Sequence, residues 1–182
     1  MKNPKLINTR NTLLKILGQQ NKVAEIGVFK GEFSKEIICC CQPEELHLID
    51  IFEGRMCSGD KDGNNIIWTD LKHEYNNLKE IYKFNSNVII HKGKSSQILK
   101  DFDDAYFDLI YIDGDHSYTG VKQDLIMSMQ KIKPNGLICG HDYTTKYFPG
   151  VVQAVDEFCK IQNLQISYLT QDNCPSYCIV KN

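Results

Sequence analysis

The stretch "YIDGDHSY", Tyr111 to Tyr118, sets Asp113, Asp115 and His116 at the end of an apolar run, "FDLIYI". A second group, "GHDY", sets His141 and Asp142 at the end of another, "LIC". Carboxylates hold hard divalent cations, and imidazole is the side chain whose ordinary pKa suits proton transfer near neutrality. One polar residue would be enough to turn a strand out of a core. If the two runs are neighbouring strands, Asp113 and Asp142 converge at one edge and can share a cation. Asp115 has a simpler competing role, as the cap of the helix that follows.

The rest of the chain has to supply the frame. "KVAEIGV", "ELHLIDIF", "NVIIHKG", "FDLIYID" and "LICGHDY" read as five strands. They are short continuous apolar runs, as in parallel strands covered on both faces. Helical patterns lie between them: "EFSKEIICCC" ending before Pro43, "IWTDLKHEYNNLKEIYKF", "SQILKDF", "TGVKQDLIMSMQKI" with Val121, Leu125, Ile126 and Met129 on one side, and "GVVQAVDEFCKI". Residues 1–20 predict an N-terminal helix, with Leu6, Leu13, Leu14, Ile16 and Leu17 at helical spacing and Gly18 as its stop. "LQISYLT" and "SYCIVKN" have no helix between them and should pair antiparallel. This alternation predicts one α/β domain over 1–182, a doubly wound Rossmann-like sheet in three αβα layers. "KPNG" reads as a tight turn. Residues 53–67 read as a polar loop, either a lid over the site or an ordinary surface loop. Within it, "SGDKDGNN" lacks the acids of a calcium loop at Ser58 and Thr69.

In such sheets a ligand binds beyond the carboxyl ends of the strands. Four of the five ends are chemically capable. "EIGVFKG" offers Glu25, Gly27 and Gly31, and the next strand ends in Asp50. The third runs into Gly93, Lys94 and Ser95, and the fourth and fifth carry the acids and histidines above. The GxxxG spacing lacks the third glycine of a dinucleotide fingerprint, which argues against a pyrophosphate cofactor. Asp50 stands where an acid takes ribose hydroxyls. The pattern fits a nucleoside without a pyrophosphate.

"EIGVFKGEFS", "LHLIDIF", "YIDGDHSYTGVKQDL", "KPNGLICGHDY" and "GVVQAVDEF" together resemble class I S-adenosylmethionine-dependent methyltransferases, in particular the small macrocin-type O-methyltransferase and cephalosporin-hydroxylase-like group. The resemblance runs from about Val23 to Phe158. It implies a seven-stranded sheet with an antiparallel last strand and S-adenosylmethionine as cofactor. Glu25 and Gly27 would line its methionine end, Asp50 the ribose and Gly93 to Ser95 the adenine, with Gly31 and Asp113 also among the cofactor-binding residues. It also implies a metal held by Asp113, His141 and Asp142, with His116 as general base. Relatives often carry an acid where His141 stands, so the site would take Mg²⁺ or, with a softer ligand, Mn²⁺. The expected reaction is O-methylation of a small hydroxylated molecule, a sugar or glycosylated metabolite. A metal-free N- or O-methyltransferase and a non-catalytic cofactor-binding module are the alternatives. Tyr118, Tyr143 and Trp68 are candidate acceptor contacts.

Bulk properties narrow the class further. With 182 residues, 42% hydrophobic, 24% charged and a net charge of −2, the chain is an ordinary globular domain without the basic face of a nucleic-acid binder. No apolar run approaches the roughly 20 residues of a membrane span, and the N-terminus lacks an h-region. Three of the eight cysteines are consecutive, Cys39 to Cys41, which argues against a disulfide framework and for a reduced, cytoplasmic protein. Cys174 and Cys178 could pair or form half a metal site, but no second pair completes one. A homodimer is left open.

Overall fold

The computed structural model describes residues 3–58 and 67–182. In chain order the elements are β1 (Lys5–Ile7), α1 (Arg10–Leu17), β2 (Lys22–Ile26), α2 (Glu32–Cys41), β3 (Glu45–Asp50), β4 (Arg55–Ser58), β5 (Ile67–Asp70) and α3 (Leu71–Ile81). Then come β6 (Val88–Lys92), α4 (Ser95–Ile98) with a 3-10 turn, β7 (Phe107–Ile112), α5 (Tyr118–Lys131), β8 (Ile132–Gly140), α6 (Pro149–Gln162), β9 (Ile166–Thr170) and β10 (Tyr177–Val180).

Eight strands form one sheet in the order β6-β3-β2-β7-β8-β10-β9-β1. β6, β3, β2, β7 and β8 run parallel. β10 is antiparallel to both β8 and β9, so it lies inside the sheet rather than at its rim. Strand order reverses between β2 and β7, the crevice where ligands of doubly wound sheets bind. One face buries Ile26, Ile110 and Ile138 under Leu125 of α5 and Val155 and Phe158 of α6. The other buries Val23, Leu46 and Leu109 under Leu13 of α1, Ile37 of α2 and Leu78 of α3. These are the three expected layers.

Four local expectations change. The sheet has eight strands, not seven, because Lys5–Ile7 is a strand paired in parallel with β9 rather than part of a helix over 1–20. Leu6 is 56% exposed there, and the helix begins only after Thr9, whose hydroxyl caps it by accepting from Thr12 N at 3.2 Å. "IWTD" opens not as helix but as β5, antiparallel to β4, and Asp70 then caps α3. "KPNG" lies within β8, with Asn135 at φ 62°. On α5, Ile126 is 45% exposed and the inner stripe is Val121, Asp124, Leu125 and Ser128. The central part of the expected lid, with Asp60, Asp62 and Gly63, lies outside the described residues.

Candidate active site

β2 and β7 come together where both leave the sheet. Asp113 N donates to Ile26 O at 2.7 Å, and Gly27 N donates to Ile49 O of β3 at 2.9 Å. Gly27 has φ 86°, and a Cβ there would lie 2.1 Å from Asp113 O. Only glycine allows the two strand ends to approach this closely. The crossing forms the floor of a cavity of about 570 Å³. Of the residues read as cofactor-binding, Gly27, Asp50, Gly93, Lys94, Ser95 and Asp113 line it. Glu25 and Gly31 are not among the lining residues. Gly31 caps α2 at φ 70°, with Leu78 Cδ2 where its Cβ would be. Glu25 is buried beneath the site and accepts Ser34 Oγ at 2.5 Å. Burial pushes its carboxyl up to about 8, against the opposing hydrogen bond from Ser34.

Asp50 is more heavily engaged than its position at a strand end suggests. Its Oδ2 accepts Val28 N at 2.8 Å and Phe29 N at 3.1 Å, and its Oδ1 accepts Phe52 N at 2.8 Å. Charge-assisted bonds of this kind fix both turns that flank the cavity. A ligand hydroxyl would share oxygens that already hold backbone.

Asp113, His116 and Asp142 converge, with one ligand atom from each lying within 4.8 Å of the others. His116 Nε2 stands 3.1 Å from Asp142 Oδ2 and 3.5 Å from Asp113 Oδ1. That nitrogen is buried, yet neither carboxylate meets it with hydrogen-bond geometry. The Asp113 carboxylate raises the His116 pKa against the opposing effect of burial, and Asp142 adds to the rise. The Phe148 ring lies 4.7 Å from the imidazole and limits its rotation. Asp142 is 6% exposed and sits at φ 61°, directed inward by its backbone.

His141 is turned elsewhere. Its Nδ1 lies 3.0 Å from Ser176 Oγ, which also pairs with Tyr111 Oη at 2.9 Å. Its Nε2 is 3.8 Å from Asp142 Oδ1, and it is not part of the converging group. Of the proposed acceptor contacts, Tyr118 bonds Glu157 and Tyr143 donates to Asp156 at 2.6 Å, both on α6. The Trp68 side chain lies outside the described residues.

Two site residues were not singled out in the sequence. Arg10, at the start of α1, reaches Asp113 Oδ2 at 3.5 Å from 103 positions away. No local pattern marks it. Asp124 lines the cavity and is 4% exposed. Its signal was present, because 124 is one helical step from the buried Val121. The seven cysteines described are all free. Cys174 and Cys178 are not bridged; Cys178 instead faces Cys139 in register across β10 and β8.

Comparison with known proteins defines the family and the fold. Residues 24–143 match the methyltransferase-domain family, and the chain belongs to it. With this sheet it is a class I S-adenosylmethionine-dependent methyltransferase. The N-methyltransferase NodS from Bradyrhizobium japonicum WM9 shares the fold at a TM-score of 0.63 and 16% identity, over 94% of this chain and 92% of that one. A Staphylococcus aureus protein assigned as a caffeoyl-CoA O-methyltransferase gives 0.66 at 16% identity, over 96% of this chain and 85% of that one. A spermidine synthase solved with the transition-state analogue AdoDATO gives 0.63 at 14% identity, over 95% of this chain but only 61% of that one. At such identities the likeness concerns the fold alone. No curated protein matches in sequence.

Proposed function

We propose that this methyltransferase acts on a hydroxyl group of a small molecule, a sugar or glycosylated metabolite, with a divalent cation held by Asp113 and Asp142 and with His116 as general base. The observation that carries the proposal is the His116 Nε2 atom, which is buried, faces two carboxylates and lacks a directed partner. The two carboxylates fit a hard cation such as Mg²⁺ or Mn²⁺ and leave the imidazole beside them free to take a proton. Bound there, such an ion would stabilise charge developing on the acceptor oxygen.

The remaining work falls to the chain. The sulfonium methyl is already activated, so alignment of acceptor and cofactor matters most. Gly27, Asp50 and the Gly93 to Ser95 turn would hold the cofactor along the cavity. The acceptor oxygen gains the methyl, the carbon–sulfur bond breaks to leave a thioether, and the hydroxyl proton passes to His116 Nε2. Phe148 keeps that ring in place. The unbridged cysteines support a cytoplasmic setting, and among the described residues no helix is long and apolar enough to cross a membrane.

One observation favours a metal-free N- or O-methyltransferase as the second reading: cationic groups already stand near the carboxylates, Arg10 Nη1 at 3.5 Å from Asp113 and, when protonated, His116 Nε2 within ion-pair distance of Asp113 and Asp142. Chelation separates the two. The metal-assisted reading expects chelated enzyme to lose turnover and regain it with Mg²⁺ or Mn²⁺. It also expects Mn²⁺ titration followed by electron paramagnetic resonance to show one site that Asp142→Asn abolishes. Full turnover in chelator, with no saturable Mn²⁺ binding, decides for the metal-free enzyme.

A further inference from the structure

Three polar side chains from different strands line up behind Asp142. Tyr111 of β7 and Ser176, just before β10, are fully buried, and their hydroxyl oxygens lie 2.9 Å apart. Ser176 Oγ is also 3.0 Å from Nδ1 of His141, which follows β8. The far nitrogen of that ring, Nε2, stands 3.8 Å from Asp142 Oδ1. Backbone bonds pin the row in place: His141 N donates to Ile112 O at 3.0 Å, and Ser176 N donates to Thr170 Oγ1 at 2.7 Å.

The protons give this row a direction. A buried hydroxyl that donates to nothing is costly. The Tyr111 hydroxyl has no acceptor among the described residues other than Ser176 Oγ, so it donates there. Ser176 then gives its own proton to the bond with His141 Nδ1. A neutral imidazole whose Nδ1 accepts carries its proton on Nε2. The neighbouring carboxylate favours the same form, because a ring lone pair aimed at Asp142 Oδ1 would repel it and an N–H attracts it. At 3.8 Å that attraction is electrostatic, beyond the reach of a full hydrogen bond. With Asp142 read as a working carboxylate of the site, as proposed above, we infer that His141 is a positioning residue: its tautomer is fixed by Tyr111 and Ser176, and its Nε2–H holds Oδ1 of Asp142 so that Oδ2 faces His116 at 3.1 Å. His141 acts through Asp142 and not on the substrate.

Nitrogen NMR of isotope-labelled histidines tests it at about pH 8, above the ordinary imidazole range. His141 should show the Nε2–H tautomer in wild-type protein. Ser176→Ala should move part of it to Nδ1–H, and so should Tyr111→Phe, which keeps the ring and frees Ser176 to turn. His141→Asn keeps an acceptor for Ser176 but loses the donor toward Asp142, whereas His141→Gln keeps a donor near the Nε2 position. The His116 Nε2 resonance should therefore shift in His141→Asn and hold its wild-type position in His141→Gln. Mn²⁺ affinity should fall about ten- to a hundredfold in His141→Asn and stay within about threefold in His141→Gln. A wild-type Nδ1–H tautomer overturns the inference, and so does a His116 resonance that His141→Asn leaves in place or that both variants shift alike. Wild-type protein that binds no Mn²⁺ ends the metal-assisted reading alone, and the two resonances still decide the role of His141.

Discussion

Arg10 Nη1 lies 3.5 Å from Asp113 Oδ2, and the same guanidinium sits 4.4 Å from the centre of the Phe33 ring. The first residue of α1 thus supplies a positive charge to the carboxylate at the end of β7, and Phe33 of α2 holds it there. If Asp113 is a metal ligand, Arg10 competes with the cation. Arg10→Ala should therefore tighten Mn²⁺ binding by about three- to tenfold, a partly exposed charge at this range being only partly screened. Loss of the ring contact should lower stability by about 0.5–1 kcal/mol. Weaker Mn²⁺ binding in a variant that melts normally would show instead that Arg10 orients Asp113 for the ion.

His116→Ala tests the base. Loss of a general base costs about a hundredfold to ten-thousandfold in rate. Because His116 does not line the cavity, S-adenosylhomocysteine affinity should stay nearly unchanged while turnover drops by that order. The comparison is a calorimetric titration beside a single-turnover assay with a true acceptor. Wild-type turnover would make His116 a turn residue, with His141 the next candidate.

At Gly27 the prediction is structural. An alanine methyl would lie 2.1 Å from Asp113 O, at a φ of 86° that side chains avoid. Backbone strain of about 1–2 kcal/mol and forced separation of β2 and β7 costing about 1–3 kcal/mol add up. Thermal melting of Gly27→Ala should fall by roughly 10 °C, and bound S-adenosylhomocysteine should no longer raise the melting temperature. A variant that melts like wild type would mean the two strand ends are not pressed together.

Glu25 sets a pH dependence. Its carboxyl titrates near 8 in the fold because burial disfavours the charge, against an ordinary value of 4.5. The folded state therefore holds a proton that the unfolded chain has released between those values. This contribution is fully present below about 4.5 and is lost as pH rises toward 8. Glu25→Gln keeps an acceptor for Ser34 and removes the titration. The variant should gain stability over wild type as pH rises from 5 to 8, by a few kcal/mol at most. Parallel melting curves of the two proteins across that range would show that Glu25 is already ionised in the fold.

Much of the architecture was legible because its signals are local. "VAEI", "LHLID", "VIIHK" and "FDLIYI" are short, mostly apolar runs without regular alternation, as a strand covered on both sides requires. Gly18 and Pro43 stop helices by their own backbone chemistry, and the acids and histidines that close β7 and β8 mark the candidate edge without knowledge of any partner. The short pieces were not legible. Lys5–Ile7 has too few residues for a period of two to separate from a helical start, and "IWTD" becomes a strand only because β4 pairs with it.

Within the site, the sequence determined which chemistry could gather at one rim, and through Gly27 how closely two strand ends could meet. Tertiary structure alone decided which side chains face one another. It brought Arg10 to Asp113, turned His141 toward Ser176 and His116 toward the two carboxylates, engaged Asp50 with three backbone donors and set Asp124 on the cavity wall. The physical reason is range. Periodicity, capping and turn chemistry act over a few residues, whereas these contacts join elements whose relative position is fixed by burial of the whole sheet. Such burial is non-directional, and no short stretch of the chain encodes it.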